Sequence, residues 1–328
     1  MIEEHQIIKD IKKNISGKNL RIVFPEGEDP RVLRAALRHK EDGYIIPILL
    51  GDMGKIQKVA DKEGVKLGDI EIIDVEYAED FDELVDAFVE RRKGKNTKRD
   101  GQYLLKDPNY YGTMMVYTGK ADGMVSGAIH PTGDTVRPAL QIIKTKPGIK
   151  RVSGAMLMLG PNGEKYLFAD TAINMTLQSH EMAEIAIESA QTAQQFGIEP
   201  IIAMLSFSTK GSANSEDTHK VAEATEIAKE KRPDLKIDGE MQFDAALVPE
   251  VGKQKAPNSD VAGKAKVFIF PSLEAANIGY KIGQRFGHYE ALGPILQGLN
   301  APVNDLSRGC VEEDVYKLAI LTANQVEK

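Results

Sequence analysis

The chain has 328 residues, of which 42% are hydrophobic, and its length corresponds to roughly two domains with buried cores. Its formal net charge of −7 gives a field that does not attract polyanions, so nucleic acid is not expected as a partner. It contains no apolar run of about 18 residues and no apolar signal core, so we expect no membrane association and a cytoplasmic location.

Short apolar runs rich in β-branched residues predict buried strands along the chain. These runs are residues 20–27, 44–51, 69–75, 122–128, 151–159, 165–172, 200–207 and 266–272. Amphipathic segments of helical length lie between them, with Asp or Ser at the start and Gly or Pro past the end. The alternation predicts an α/β fold with largely parallel sheets, which bind ligands beyond the carboxyl ends of their strands. We therefore expect function in the strand-to-helix loops.

A basic segment, RRKGKNTKR, occupies residues 91–99 and has six Lys or Arg residues and no acid. Two interpretations are open. It is either a solvated helix end, which is the usual role of such a charge run, or a local site for an anionic ligand.

The segment VSGAIHPTGDTVRPALQ, residues 125–141, follows a predicted strand. We expect a helix to start near Asp134, with Arg137 in its first turn. Small residues and free backbone amides at the start of a helix attract anions, and a guanidinium group can hold phosphate oxygens. The segment thus predicts a phosphate site. The alternative is that Asp134 only caps the helix and Arg137 pairs with a surface carboxylate. We interpret His130 as a hydrogen-bonding residue of the loop.

The best candidate for a domain boundary is KTKPGIKRVSG, residues 144–154, where a helical pattern ends in Pro-Gly and a new strand begins. Beyond it, the segment LSFSTKGSANSEDTHK, residues 205–220, resembles a phosphate loop in composition. It lacks the G-x-x-x-x-G-K-[ST] spacing, and the chain has no suitable G-x-G-x-x-G, so a nucleotide kinase or dehydrogenase is poorly supported. The scattered histidines predict no metal site.

The segment NDLSRGCVEEDV, residues 304–315, groups Ser307, Arg308, Cys310 and Asp314. Three interpretations compete: a nucleophilic cysteine, an anion-binding turn before a helix, or an ordinary helix start with acids in its first turn. Cys310 is the single cysteine in the sequence, which excludes a disulfide within the chain. No histidine is close enough in sequence to suggest a Cys-His pair.

Several of these segments occur together in one known family. VFPEGEDPR, DGMVSGAIHPTGDTVRPALQIIKT, MLSFSTKGSA, VFIFPSLEAANIGYKIGQRF and GPILQGLNAPVNDLSRGC stand here in an order that resembles the phosphate acetyltransferase family. The resemblance runs from about residue 20 to the C-terminus. It implies two three-layer α/β domains similar to isocitrate and isopropylmalate dehydrogenases, with the active site in the cleft between them. Residues 1–147 and 299–328 would form the first domain and residues 148–298 the second.

The resemblance also implies an activity and roles for individual residues. Acetyl would move between acetyl phosphate and coenzyme A without a metal or other cofactor, in a homodimer. Asp314 resembles the base that takes the thiol proton, Ser307 the residue that stabilises the transition state, and Arg308 the arginine that holds acetyl phosphate. Arg137 and Arg92 resemble arginines that contact coenzyme A or phosphate, although Arg91 adjoins Arg92. Ser126, Gly127 and Thr135 lie in the segment for which a phosphate site is predicted, so we expect them to be substrate-binding residues as well.

Two other functions remain open at this point. A phosphate butyryltransferase would use the same loops with a larger acyl pocket. A non-catalytic domain that senses acetyl-coenzyme A would keep the fold without the chemistry. The presence of Ser307, Arg308 and Asp314 together favours catalysis.

Overall fold

The protein is described by a computed structural model that covers residues 4–326. The chain forms two compact units. Unit 1 comprises Met1–Lys146 and Leu299–Lys328, and unit 2 comprises Pro147–Gly298.

The first part of unit 1 alternates strands and helices. Its elements are α1 (Gln6–Ile15), β1 (Arg21–Phe24), α2 (Pro30–Asp42), β2 (Ile46–Leu50), α3 (Met53–Glu63), β3 (Glu71–Ile73), α4 (Phe81–Arg92), α5 (Lys98–Leu104), α6 (Pro108–Tyr117), β4 (Gly123–Ser126) and α7 (Thr132–Pro138). A 3₁₀ turn, Val75–Tyr77, follows β3, and a π-helical turn, Ala139–Ile143, continues α7.

Unit 2 contains the next set of elements. They are β5 (Ser153–Leu159), β6 (Lys165–Ala169), α8 (Ser179–Gln195), β7 (Ile201–Leu205), α9 (Glu216–Lys231), β8 (Lys236–Met241), α10 (Phe243–Leu247), α11 (Pro249–Lys255), β9 (Val267–Ile269), α12 (Leu273–Phe286) and β10 (Glu290–Gln297). The chain then returns to unit 1 as β11 (Val303–Asp305) and α13 (Glu312–Asn324).

Both sheets are largely parallel. In the described part of unit 1, the strands run in the order β11-β4-β1-β2-β3, and every pairing is parallel. In unit 2 the order is β10-β5-β6-β9-β7-β8, with antiparallel pairs at β10-β5 and β5-β6 only among the described residues. The predicted α/β fold with largely parallel sheets is confirmed, and each apolar run predicted as a strand contains one.

Helix α2 shows how local sequence sets these elements. The side chain of Asp29 accepts hydrogen bonds from the backbone N–H groups of Arg31 and Val32, and Pro30 occupies the first helical position. Gly43 ends the helix with φ 72°, a left-handed conformation that glycine adopts readily. Val32, Leu33 and Ala36 are buried on one face. The helix therefore begins at the carboxyl end of β1 and packs against its sheet.

No helix within residues 4–326 combines the length and apolar character needed to cross a membrane.

Candidate active site

Strands β4 and β11 are neighbours in the unit 1 sheet and place two predicted site segments side by side. Their register pairs Asp305 with Ser126, and the backbone N–H of Leu306 donates to the carbonyl of Ser126 at 2.6 Å. Because parallel strands end at the same edge of a sheet, the loops after β4 and β11 emerge together. The segment after β11 holds Ser307, Arg308 and Asp314, and the segment after β4 holds Arg137.

The segment after β11 is a tight turn. The backbone N–H of Cys310 donates to the carbonyl of Ser307 at 2.9 Å, and the N–H of Gly309 donates to the Ser307 hydroxyl oxygen at 3.3 Å. The side chains of Ser307 and Arg308 are exposed. A hydroxyl oxygen that accepts from Gly309 still has its own hydrogen free to donate. The turn thus presents a hydroxyl donor and a guanidinium group to solvent.

Asp314 lies in the first turn of α13, as the sequence predicted. Its Oδ2 atom accepts a hydrogen bond from the backbone N–H of Val311 at 2.9 Å, and the residue is half-buried. Glu312 and Glu313 stand beside it, where negative charge favours the helix dipole. Asp314 therefore has a structural role at the helix start. A test of its catalytic role needs a substitution that keeps this hydrogen bond.

Cys310 is buried, with 6% of its surface exposed. Burial raises the pKa of its thiol to about 11, against an opposing effect of the nearby Arg31 charge. A thiol with so high a pKa is almost fully protonated near neutral pH, and a protonated thiol is a poor nucleophile. The environment of Cys310 therefore disfavours the nucleophilic-cysteine interpretation.

The amides at the start of the loop after β4 are not free, although the phosphate-site prediction assumed free amides in this segment. The buried carboxylate of Glu26 accepts hydrogen bonds from the backbone N–H groups of Ala128, Ile129 and His130 at 2.7, 2.9 and 3.0 Å. A carboxylate from the β1–α2 loop thus satisfies these three amides, which precede the start of α7 at Thr132. The ring Nδ1 of His130 lies 2.7 Å from Glu26 Oε1, so the interpretation of His130 as a hydrogen-bonding loop residue is confirmed.

Gly127 is required by a close approach between the two segments. Its φ is +103°, and a Cβ atom there would lie 2.3 Å from Oδ1 of Asp305. Thr132, the first residue of α7, donates its hydroxyl hydrogen to Asp305 Oδ2 at 2.7 Å. Burial raises the pKa of Asp305 to about 6, although hydrogen bonds from threonine hydroxyls lower it. Asp305 therefore joins the end of β11 to the start of α7.

Ser126 and Thr135 face the interior, so a contribution of these two residues to substrate binding, through close approach of the backbone, stays a prediction. Both are fully buried. The Ser126 hydroxyl donates to Oδ1 of Asn109 at 2.6 Å, inside unit 1. A side chain closed off from solvent in this way supports the loop from below and does not present a hydroxyl to a ligand.

Helix α7 starts at Thr132, two residues earlier than expected, because Pro131 precedes the first turn. Arg137 consequently lies in the last turn of this seven-residue helix and not in the first. Its side chain is 61% exposed, and its Nη1 lies 3.7 Å from Oδ1 of Asp134. An exposed pair of this length is weak and screened by solvent, so the guanidinium group can turn toward an anion.

Arg91 and Arg92 end α4 but make different contacts. Arg91 donates to the carbonyls of Ile142 and Ile143 at 2.6 and 3.0 Å, and it lies over the Tyr117 ring at 4.7 Å. Arg92 donates to the Asn96 side chain at 2.8 Å and more weakly, at 3.3 Å, to the carbonyl of Gln141. Arg91 is thus anchored in the fold, and Arg92 is held more loosely.

Tyr110 connects Arg92 with Arg137. Burial raises the pKa of the Tyr110 phenol, and the charges of Arg137 and Arg92 both oppose the increase. The Tyr110 hydroxyl donates to the side-chain oxygen of Gln141 at 3.1 Å. Both guanidinium groups are thus near enough to Tyr110 for their charges to act on its phenol.

The segment 205–220 of unit 2 is closed on itself. The hydroxyl of Ser208 and the backbone N–H of Gly211 donate to the buried carboxylate of Glu240 at 2.9 and 2.7 Å. Lys210 pairs with Asp238 at 2.6 Å. The polar residues that make this segment resemble a phosphate loop therefore serve to satisfy two buried acids, Glu240 and Asp238.

Sequence reasoning did not assign roles to Glu26, Arg31 or Asp305. The available signal was position: Glu26 and Arg31 follow β1, the strand beside β4, and Asp305 ends β11. Charged residues directly after buried parallel strands stand at the edge where ligands bind.

Several known proteins that share more than half of their residues with this chain are phosphate acetyltransferases. The phosphate acetyltransferase of Staphylococcus epidermidis (strain ATCC 12228 / FDA PCI 1200) is 58% identical over 97% of this chain and 98% of its own length. That of Bacillus subtilis (strain 168) is 57% identical over the same shares. The crystal structure of a phosphotransacetylase from Streptococcus pyogenes matches with a TM-score of 0.93 at 56% identity, covering 98% of each chain. The class is thereby defined: the protein is an acyltransferase with an α/β fold.

A family model described as Phosphate acetyl/butaryl transferase matches residues 6–323. The chain belongs to this family.

Proposed function

We propose that the protein is a phosphate acetyltransferase, which converts acetyl-coenzyme A and phosphate to coenzyme A and acetyl phosphate, and the reverse. The observation that supports this most directly is the pairing of β4 with β11. Because of this pairing, the segment with Arg137 and the segment with Ser307, Arg308 and Asp314 start from the same edge of the sheet. Identity of 57–58% to phosphate acetyltransferases over nearly the whole chain favours acetyl as the transferred group.

In the proposed mechanism the thiol of coenzyme A attacks the carbonyl carbon of acetyl phosphate within a ternary complex. The pKa of a free thiol is about 4.6 units above that of a free aspartate, so complete proton transfer between them costs about 6 kcal/mol. Loss of the proton to Asp314 must therefore be concerted with attack on the carbonyl. The sulfur–carbon bond forms as the carbonyl oxygen becomes an oxyanion, and the bond from carbon to the phosphate oxygen then breaks.

Two neighbouring residues would stabilise the charges that develop. The Ser307 hydroxyl, whose oxygen accepts from the N–H of Gly309, would donate to the oxyanion. Arg308 would hold the phosphate, which is already a good leaving group, so we propose that no metal or further cofactor is required. Arg137, whose side chain is exposed, and Arg92, which is held loosely by Asn96, would bind the phosphates of coenzyme A.

The first prediction concerns the reaction itself. Purified protein should release phosphate from acetyl phosphate only when coenzyme A is present, with equal formation of acetyl-coenzyme A, and should keep its rate in a chelator. Phosphate release and thioester formation, measured with acetyl and with butyryl phosphate, provide the test. Faster turnover of butyryl phosphate would indicate a butyryltransferase, and binding of acetyl-coenzyme A without turnover would indicate a sensor.

We also propose that the protein is a cytoplasmic homodimer that associates through α12. Ile278, Ile282 and Phe286 are 59%, 53% and 84% exposed at spacings of four residues, which places them on one side of that helix. An apolar stripe exposed on a helix is typical of a protein interface. The free thiol of Cys310 is compatible with a reducing compartment.

The second prediction tests this assembly. Light scattering at micromolar concentration should give the mass of two chains, and Ile282→Glu should shift it to the mass of one, because the substitution places a charge in the apolar contact. Lys264→Glu, which changes the charge of an exposed residue on another segment of unit 2, is the control and should leave the mass unchanged. A monomeric wild-type protein would rule out the proposal.

A further inference from the structure

Arg31 makes contacts that reach both segments of the candidate site. Its Nη1 donates to the carbonyls of Arg308 and Cys310, each at 2.9 Å, and its Nη2 donates to the carbonyl of Ala128 at 2.8 Å. Its Nε and Nη2 also donate to the two carboxylate oxygens of Asp29 at 3.0 and 2.8 Å. All three nitrogens of this one guanidinium group are therefore in use within the fold.

Asp29 fixes the direction of this guanidinium group. The carboxylate is bound by two parallel N–H donors, the geometry in which arginine is least free to rotate. Burial alone would raise the pKa of Asp29, but hydrogen bonds from Arg31 outweigh it and lower the pKa. The pair is thus ionised and oriented near neutral pH, and the remaining N–H groups point at carbonyls of the two loops.

The chemistry of these acceptors indicates what Arg31 does. Backbone carbonyls in an irregular turn have no partners from a helix or a sheet, and burying them without a donor is costly. Arg31 supplies the donor for the carbonyl of the buried residue Cys310, and the same Nη1 also holds the carbonyl of Arg308, whose own side chain is exposed. It therefore fixes the backbone of the turn while leaving the side chains of Ser307 and Arg308 directed outward.

We propose that Arg31 is a positioning residue, which holds the turn of Ser307 and Arg308 in place against the loop after β4 and does not itself bind substrate. This inference rests on the proposed acetyltransferase function for its kinetic consequence. Its structural consequence, the fixed turn, stands independently of the reaction and can be measured without it.

Cys310 provides that independent measurement because it is the single cysteine in the sequence. Its Sγ lies 3.6 Å from Nη1 of Arg31 and is buried. The Arg31 charge lowers the pKa of the thiol, against the larger opposite effect of burial. Removing that charge would, by electrostatics alone, slow reaction with a disulfide reagent. Faster reaction after removal would thus report that the turn has opened.

The third prediction compares Arg31→Ala and Arg31→Lys with Arg34→Ala. Arg34 is also on α2 but pairs with Glu63 at the surface. For Arg31→Ala we expect kcat to fall about 10- to 100-fold, the range for losing hydrogen bonds to a charged group, with less than about 3-fold change in either KM. Cys310 should react with an aromatic disulfide at least about 10-fold faster, as burial no longer protects it. Arg34→Ala should match wild type in each measurement.

Two further readouts separate positioning from a general loss of folding. Guanidinium ion at millimolar concentration should restore part of the kcat of Arg31→Ala and slow the Cys310 reaction again. Arg31→Lys, which keeps the charge but has fewer donors, should be intermediate in both. A wild-type thiol rate in Arg31→Lys and Arg31→Ala would overturn the proposal. So would a raised KM with unchanged kcat, since that result places Arg31 on the substrate.

Failure of the proposed function and failure of the Arg31 proposal would give different results. Absence of acetyl transfer in the wild-type protein would remove the proposed function, whereas the thiol rates would still decide whether Arg31 holds the turn. If Arg31→Ala does not fold, as judged by its circular dichroism spectrum, Arg31→Lys alone decides between the two results.

Discussion

Asp314→Asn should lower kcat by about 10²- to 10⁴-fold, the effect typical of losing a general base, with little change in the apparent affinity for coenzyme A. The substitution suits this site because Oδ2 of Asp314 accepts a hydrogen bond from the backbone N–H of Val311. The amide oxygen of asparagine can accept the same bond, so the helix start is retained while the base is lost. Steady-state kinetics at saturating acetyl phosphate measures the effect.

Glu312→Gln is the matched control for this experiment. It removes one negative charge from the same first turn of α13, so it reproduces the change in helix-dipole interaction, worth about 0.3 to 1 kcal/mol, without removing the proposed base. Its kcat should stay near that of wild type. Equal kcat values for Asp314→Asn and Glu312→Gln would mean that the acids of this turn only stabilise the helix.

Cys310→Ala bears on the same choice of mechanism and should change kcat far less than Asp314→Asn. Coenzyme A already supplies the attacking thiol, and the raised pKa of Cys310 keeps its own thiol protonated. An inactive Cys310→Ala variant beside an active Asp314→Asn variant would favour a covalent acyl-cysteine and contradict direct transfer.

The second large effect is expected at the arginines that face solvent. Arg308→Ala and Arg137→Ala should each reduce kcat/KM by roughly 10- to 150-fold, corresponding to about 1.5 to 3 kcal/mol for a hydrogen bond to a charged phosphate. Both guanidinium groups are exposed, and the Asp134 contact of Arg137 is long. They can therefore bind an anion without first breaking a strong ion pair. Initial rates over a range of each substrate would separate losses in kcat from losses in KM.

Lys98→Ala is the control for charge alone. Lys98 belongs to the same basic segment as Arg92, but it forms an exposed pair with Asp86 at 2.7 Å. Its removal should leave kcat/KM nearly unchanged, since screened surface pairs contribute little. Mild and equal losses in all three variants would show that general positive charge, and not the two arginines, attracts the substrates.

The strands predicted from sequence were those whose buried faces are apolar. Strand β8 was missed because KIDGEM contains Asp238 and Glu240, acids that are buried only since Lys210 and Ser208 satisfy them. Strand β10 was missed because Gly293 and Pro294 interrupt its pattern, and β11 because it has only three residues. Lys210 and Ser208 lie far in sequence from the acids of β8, so local periodicity does not indicate that these acids have partners.

The same limit applies to the candidate site. Ser307, Arg308 and Asp314 could be grouped in advance because they are close in sequence, and Arg137 because it follows a strand. The contacts of Arg31 and Glu26 with the two site loops could not be predicted, because the loop residues that they bind lie about a hundred or more positions away. The resemblance to the family supplied the return of the chain to unit 1, which composition and periodicity did not indicate.

That return gives the protein an order of assembly during synthesis. Unit 2 consists of one continuous segment, whereas unit 1 lacks β11 and α13 until residues 299–328 have been made. Helix α13 packs against α1, α2 and β4, and its residues Val315, Leu318 and Ile320 are fully or almost fully buried. Until it arrives, the matching apolar surfaces of the first 146 residues are without this cover and open to aggregation. Slow translation beyond Gly298 would thus prolong the most vulnerable stage of the nascent chain.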